Sequence, residues 1–311
     1  MEFEFDTLNF AGMWQQLLQQ VTSGNIKSLS RGISMIENEV PGYEELLQQL
    51  PANYTVKIIG VTGPPGAGKS TLTDALIGSF INDKKKIGVL CVDPSSPFNL
   101  GALLGDRIRM SEWYNNSNVF IRSLATRGGL GGLNPKIIEI TDLMKAAGFD
   151  YIIIETVGVG QSEIEIAGLA DTTIVVLVPG SGDEVQIMKA GLMEIADIFV
   201  VNKSDYPGAD LFVKELLTML SPVFSHTTNE IPIVKTIACE RKGIEELRKK
   251  ILQHLTLNTS EKKYWLLAEK AYQLIQNNKM KSIDKQILKE KIMKTDPGKF
   301  NLYAFVKGYD L

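Results

Sequence analysis

Residues 63–70 read Gly-Pro-Pro-Gly-Ala-Gly-Lys-Ser, the pattern G-x-x-x-x-G-K-[ST]. The apolar run Ile58-Ile59-Gly60-Val61 precedes this loop, and a helix-forming stretch, Leu72 to Phe80, follows it. Strand, glycine-rich loop and helix in that order make a cradle for a polyphosphate. Glycines let backbone N–H groups turn inward, and the helix N-terminus points its positive end at the same anion. Gly63, Pro64, Pro65, Gly66, Ala67, Gly68, Lys69, Ser70 and Thr71 are the candidate phosphate-binding residues. Lys69 is placed to reach the β- and γ-phosphates, and Ser70 to bind Mg²⁺. Such a loop restricts the fold to an α/β sheet that delivers ligands to the carboxyl ends of its strands.

The rest of the chain repeats that pattern. Short apolar runs at Lys57–Thr62, Ile87–Val92, Val119–Ser123, Tyr151–Glu155, Thr173–Val178, Ile198–Asn202 and Ile233–Thr236 alternate with helical stretches. Continuous apolar runs of this length fit strands buried on both faces of a parallel sheet. The expected fold class is α/β, a doubly wound, mostly parallel sheet over residues 56–255. Residues 1–55 read as a helical N-terminal extension. Trp14, Leu17, Leu18 and Val21, then Ile26, Leu29, Ile33 and Ile36, recur at helical spacing, and a third short helix runs from Tyr43 to Leu50. Residues 256–311 read as a helical, lysine-rich arm. One apolar stripe is Tyr264, Trp265, Leu266, Ala268, Tyr272 and Ile275; a second is Ile283, Ile287, Leu288 and Ile292, closed by Asp296-Pro297-Gly298. Packing within the chain and a subunit interface are equally open readings of these stripes.

Composition excludes several classes. A formal charge of -3 over 311 residues carries no polycationic signature of nucleic-acid binding. No apolar run approaches the ~20 residues that span a membrane, and the acidic start Met1-Glu2-Phe3-Glu4-Phe5-Asp6 is unlike a signal or transit peptide. A bacterial cytoplasmic protein is expected. Cys91 and Cys239, the two cysteines, lie beside apolar runs and are expected as buried, reduced thiols. The two histidines, His226 and His254, stand alone and read as surface or structural groups.

Asn202-Lys203-Ser204-Asp205 is N-K-x-D at the end of an apolar run. The Asp205 carboxylate can accept two hydrogen bonds, from N1–H and the exocyclic amine of guanine. Adenine offers no matching donor pair. Asn202 would tie the base loop to the phosphate loop, and the Lys203 stem would cover the base. The ligand is therefore expected to be GTP or GDP. Ala238 and Cys239, after the next strand, can offer backbone to the base oxygen. Acids at strand ends, Asp93 and Glu155, are candidate Mg²⁺ ligands together with Ser70; a helix N-cap is the plainer reading of each acid alone. Gly158 would offer its N–H to the γ-phosphate. The polar stretch from Asp93 to Met110 reads as a first switch. Within it Asp106 can join the metal shell or position water, and Arg107 or Arg109 can stabilise transition-state charge. Each arginine reads equally as a surface ion-pair partner. Gln161 is the candidate to orient water, at an offset that points to slow, partner-dependent hydrolysis.

Together Gly63–Thr71, Val92–Pro97, Leu104–Arg107, Glu155-Thr-Val-Gly-Val-Gly-Gln-Ser-Glu163 and Asn202–Asp205 resemble the MeaB/ArgK/MMAA family, P-loop GTPases of the SIMIBI class. The match runs from about residue 20 to 255. Phe98–Ala102 departs from the family's glycine pair and serine. The resemblance implies a P-loop GTPase domain and a chaperone for an adenosylcobalamin-dependent acyl-CoA mutase, typically methylmalonyl-CoA mutase. GTP binding and hydrolysis would gate cofactor loading and protect or reactivate that partner. It also implies a homodimer joined through the C-terminal arm. A third switch would span Gly180 to Lys189, with Asp183, Glu184, Gln186 and Lys189 coupling nucleotide state to the partner, and Lys189 a further candidate to assist hydrolysis. No D-x-H-x-x-G cobalamin motif is present, so the cobalamin would sit on the partner.

Two other readings compete. A metallochaperone GTPase needs clustered Cys and His ligands, which two scattered pairs do not supply. A P-loop small-molecule kinase would not need N-K-x-D.

Overall fold

A computed structural model describes residues 7–51, 53, 55–94, 110–127, 133–158, 162–180, 192–224, 231–257, 260–280, 282–295 and 300–309. The chain divides into two compact units, Met1–Asn258 and Thr259–Leu311.

In the first unit seven strands form one sheet: β1 (Lys57–Thr62), β2 (Ile87–Asp93), β3 (Val119–Ala125), β4 (Tyr151–Glu155), β5 (Thr172–Leu177), β6 (Ile198–Val201) and β7 (Ile233–Lys235). Their order is β3-β2-β4-β1-β5-β6-β7, and every pairing between neighbours is parallel. The helices of this unit are α1 (Thr7–Thr22), α2 (Ile26–Glu37), α3 (Tyr43–Gln48), α4 (Lys69–Asn82), α5 (Ile137–Ala146), α6 (Ser162–Ala167), α7 (Leu192–Ile195), α8 (Ala209–Phe224) and α9 (Ile244–Leu257).

The central strand runs are mostly apolar because both faces of the sheet are covered. Successive residues of a strand point to opposite faces. In β5 and β6, Ile174, Val176, Ile198 and Val200 enter one core with Leu72, Leu76 and Phe80 of α4 and Leu247 and Ile251 of α9. Their neighbours Val175, Leu177, Phe199 and Val201 enter another, against Leu192 of α7 and Phe212, Leu216 and Leu220 of α8. The doubly wound α/β sheet read from the sequence is thus the observed fold, and it is parallel throughout.

Helices α1 to α3 belong to the same compact unit, and α2 lies against α1 and α5. Asn25 caps α2, its side-chain oxygen accepting from Ser28 N–H at 3.0 Å. Leu29, Ile33 and Ile36 are fully buried. Ile26, expected in the same stripe, is 38% exposed. It occupies the first position of α2, at the rim of the apolar arc. The α1 indole of Trp14 donates to the Pro41 carbonyl at 2.9 Å. At the other end of α2, Glu37 pairs with Arg122 of β3 at 2.9 Å.

Cys91 is buried in β2, but Cys239 is exposed, contrary to expectation. It lies in a 3-10 turn, Ala238–Glu240, whose Ala238 faces inward and is buried. His254 is structural: Nδ1 meets Thr172 Oγ1 at 2.9 Å and Nε2 meets Asp197 Oδ1 at 3.2 Å. His226 lies outside the described residues.

The second unit contains α10 (Ser260–Met280), α11 (Lys285–Met293) and α12 (Leu302–Lys307). Asp284 caps α11 by accepting from Gln286 and Ile287 N–H, at 2.7 and 3.0 Å. The α10 stripe is mostly exposed: Tyr264, Trp265, Tyr272 and Ile275 face solvent and Leu266 is buried. Ile283 sits in the turn before α11, and α12 was not anticipated. Among the described residues no helix is long and apolar enough to cross a membrane.

Burial on α2 sets the size of two substitution effects. Ile33→Ala should destabilise the first unit by about 2–5 kcal/mol, read by urea unfolding. Ile26→Ala, on the same helix, should move it by less than about 0.5 kcal/mol. Equal effects would show that the stripe is not buried as described.

Candidate functional site

The loop after β1 and the start of α4 form one wall of a cleft of about 580 Å³. Gly66, Lys69, Ser70, Asp93, Glu155 and Lys203 line it. Lys69 is buried, and its ammonium donates to the Gly63 and Pro64 carbonyls at 2.9 and 3.0 Å. That contact holds the cation inside the turn of the loop. Gly158, at φ +83°, packs against it: a Cβ there would lie 2.3 Å from Lys69 Nζ and 2.4 Å from the Gly63 carbonyl. Only glycine lets the chain after β4 approach the phosphate loop this closely.

Sheet register gathers the oxygen donors. Glu155 pairs with Val61 of β1 on one side and Cys91 of β2 on the other. Asp93, two residues beyond Cys91, ends β2 at the same edge. Ser70, in the first turn of α4, donates from Oγ to Glu155 Oε1 at 2.6 Å. Beside them the Thr62 and Thr156 hydroxyls are 2.9 Å apart. Asp93 and Glu155 are 5% and 3% exposed. Two acids this deeply buried in one cleft, with a serine hydroxyl between helix and sheet, suit a hard divalent cation with oxygen ligands. The residues therefore fit Mg²⁺. Among the described residues no group of three or more His, Cys, Asp or Glu side chains comes together as a metal site.

The other side of the glycine-rich loop is organised by Asn202, 2% exposed just past β6. Its amide nitrogen donates to the Ala67 carbonyl at 2.9 Å. Its oxygen accepts from Thr236 Oγ1 at 3.0 Å and from Ala238 N–H at 3.1 Å. Gly68 makes room for this amide: its φ is +87°, and a Cβ would stand 2.4 Å from Asn202 Nδ2. Lys203 takes a left-handed backbone, φ +54°, and donates from Nζ to the Gly66 carbonyl at 3.0 Å. Asp205 is exposed at the rim, in a turn fixed by Ser204 N–H to the Thr236 carbonyl at 3.1 Å.

The structure thus brings together Gly63–Thr71, Asp93, Glu155, Gly158, Asn202 and Lys203, with Asp205, Ala238 and Cys239 on the adjoining base loops. Asp106, Arg107, Arg109, Gln161, Asp183, Glu184, Gln186 and Lys189 lie outside the described residues, as do Phe98–Ala102. Sequence reasoning missed Thr62 and Thr156, and read Thr236 for its backbone and not for its hydroxyl. A threonine at a strand end is an ordinary β residue, and nothing in its neighbours marks the hydroxyl as a partner.

A family model described as "Methylmalonyl Co-A mutase-associated GTPase MeaB" matches residues 29–295. A Pyrococcus abyssi protein bearing the name of a GTPase is 46% identical over 78% of this chain and 76% of its own length. A Geobacillus kaustophilus protein named fused isobutyryl-CoA mutase is 35% identical over 72% of this chain, a match that takes up 22% of that protein. The crystal structure of an LAO/AO transport system kinase shares the fold, with TM-score 0.62 at 22% identity over 96% of both chains. A glycine-rich loop, buried acids and an Asn202-centred hydrogen-bond cluster on a parallel sheet, with the family model matching residues 29–295, place this chain in the MeaB family of GTPases.

Proposed function

We propose that the cleft binds and hydrolyses GTP, and that its nucleotide state gates cofactor loading on an adenosylcobalamin-dependent acyl-CoA mutase and protects or reactivates it. The observation that carries the partner is the Geobacillus kaustophilus protein, in which a segment similar to this chain forms part of a fused isobutyryl-CoA mutase. The family description favours methylmalonyl-CoA mutase as the client. A homodimer joined through residues 256–311, acting in the cytoplasm, completes this reading. The exposed aromatic stripe of α10 is consistent with it.

On this reading the backbone of Gly66 to Thr71 and the Lys69 ammonium hold the β- and γ-phosphates. Ser70, Asp93 and Glu155 hold Mg²⁺, with Asp106 added from the first switch; the bound ion would neutralise charge on the phosphate oxygens. Asn202 keeps the base loop on the phosphate loop, Lys203 flanks the base, and Asp205 reads the guanine edge. Gly158 offers its N–H to the γ-phosphate, and its contact with Lys69 makes it sensitive to what that lysine holds. Gln161 orients water, while Arg107 and Lys189 assist the departing charge.

The base assignment predicts that GTP and GDP bind in calorimetry with Mg²⁺ present and that ATP binds about 100-fold more weakly or worse. Asp205→Asn should move the preference toward xanthosine nucleotides, because it turns an acceptor into a donor. Comparable ATP affinity in the unaltered protein would sink the guanine reading. The metal assignment predicts that Glu155→Gln raises the Mg²⁺ concentration needed for half-maximal turnover about 10- to 100-fold. An unchanged Mg²⁺ requirement would remove Glu155 from the site. For the partner, the mutase from the same organism should co-purify with the chain and raise its GTP turnover. If neither happens, the chaperone reading fails and a GTPase with another client takes its place.

A further inference from the structure

β1 and β4 are neighbours, and their register runs to Val61 opposite Glu155. One step further, Thr156 N–H donates to the Val61 carbonyl at 3.0 Å. Side chains then continue the pairing. The Thr62 and Thr156 hydroxyls meet at 2.9 Å, one donating to the other. Both threonines are buried, at 0% and 2% exposure. The pair joins the residue before the glycine-rich loop to the residue after Glu155. Each chain then turns on a glycine of positive φ, Gly63 at +137° and Gly158 at +83°.

The groups around this pair are held unequally. Gly63 is wedged in place: a Cβ there would strike the Val176 carbonyl of β5, and its own carbonyl accepts from the Lys69 ammonium at 2.9 Å. Glu155 is paired to a strand on each side and takes the Ser70 hydroxyl. Gly158 leans on Lys69 and on the Gly63 carbonyl, with no room for a Cβ. Only Val157 separates it from Thr156, so the two Cα atoms lie within about 7 Å of each other. The hydroxyl pair is thus a buried tie, two residues from Gly158, between its chain and the glycine-rich loop.

We propose that the Thr62–Thr156 hydroxyl pair sets how strongly the cleft prefers GTP over GDP, by holding Gly158 against Lys69 where its N–H meets the γ-phosphate. The inference rests on the proposed reading of the cleft as a GTP site. GDP has no γ-phosphate, so whatever positions that N–H acts on the triphosphate alone. The glycine-rich loop and Asn202 are fixed by other bonds, from Lys69 to Gly63 and Pro64 and from Asn202 to Ala67. Those bonds remain when the hydroxyl pair is lost. Two methyl groups in place of the hydroxyls cannot restore the spacing, because carbon atoms in contact sit about 3.5–4.0 Å apart. A valine pair therefore presses the chain after Thr156 away from the loop, and Gly158 with it.

The test is calorimetric Kd, with Mg²⁺ present, for GDP and for the non-hydrolysable β,γ-imido analogue of GTP. The full chain is compared with Thr62→Val, Thr156→Val, the double valine variant and Thr156→Ser. Valine keeps the branched shape and removes the hydroxyl, whereas serine keeps the hydroxyl. Each valine variant should bind the analogue about 3- to 10-fold more weakly, the size of one lost hydrogen bond, with the GDP Kd within about twofold. The double variant should fall within about twofold of the weaker single, because both substitutions remove the same bond. Thr156→Ser should stay within about twofold of the unaltered chain for both ligands. Should a valine variant fail to fold, Thr62→Ala and Thr156→Ala take its place with the same expectation. An unchanged ratio of analogue to GDP affinity in the single variants overturns the inference. So does an equal loss for both ligands, which marks a merely structural bond. So does a loss in Thr156→Ser as large as in Thr156→Val, or a double variant whose loss is the product of the two singles. Failure of the unaltered chain to bind either guanine nucleotide sinks the site reading and this inference with it. Normal binding there with both hydroxyls inert sinks the inference alone.

Discussion

One amide side chain holds the nucleotide site in a single piece. Asn202 gives its N–H to the glycine-rich loop and takes hydrogen bonds from Thr236 and Ala238 on the loop after β7. These loops follow β1, β6 and β7, strands that are not all neighbours in the sheet. Backbone pairing alone cannot fix their spacing. The amide is buried, so each partner left unsatisfied by its loss costs about 1–3 kcal/mol, more than a solvent-exposed ion pair in the same place supplies. Gly68 follows from this constraint, because the amide occupies the space that a Cβ would need. The phosphate loop is thus conditioned on two sides, by its own anion-binding geometry and by the residue that ties it to the base loop.

The other determinant is charge. Asp93 and Glu155 are buried at the edge where β2 and β4 end beside β1. Burying carboxylates is costly unless hydrogen bonds or cations compensate. Ser70 supplies a hydrogen bond to Glu155 from α4. Lys69, one residue earlier, gives its ammonium to the Gly63 and Pro64 carbonyls. A hard divalent cation completes such a donor set, and its position would join α4, β2 and β4 at one point. A change at that point is felt at once by Gly158, which packs on Lys69, and by the chain that leaves β2 at Asp93.

The sheet and the phosphate and base loops were legible because their signals are local. A glycine-rich loop needs particular backbone torsions, and a doubly covered strand needs an apolar residue at every position. Each strand boundary read from the sequence falls within two residues of the observed one. The features that were not legible depend on three-dimensional company. The exposure of Cys239 follows from which way a 3-10 turn faces, and that of Ile26 from its place at the end of α2. The last helix, α12, is short and depends on the Asn301 cap, whose oxygen accepts from Ala304 N–H at 2.9 Å. The hydrogen bond from the Trp113 indole to Asp74 joins residues 39 positions apart, and neither carries a motif. Exposure of Tyr264, Trp265, Tyr272 and Ile275 on α10 likewise follows from what packs there, since the same spacing serves a core or an interface.

The proposed chaperone role asks one cleft to hold nucleotide and to report on it. A site built only for catalysis could keep its hydrolytic groups on the rigid strand ends, as it keeps Asp93 and Glu155. Here the candidate hydrolytic groups lie instead on stretches between strand ends and the next anchored point: Asp106 and Arg107 before Met110, Gln161 before α6, Lys189 before α7. Moving a strand end would break several buried contacts together, so the groups placed there are fixed by the fold. If the proposed partner prefers one nucleotide state of the cleft, linkage requires that nucleotide to raise affinity for the partner by the same factor. The proposed switch thus rests on one division: binding groups on the strand ends, and candidate hydrolytic groups in the segments of sequence beyond them.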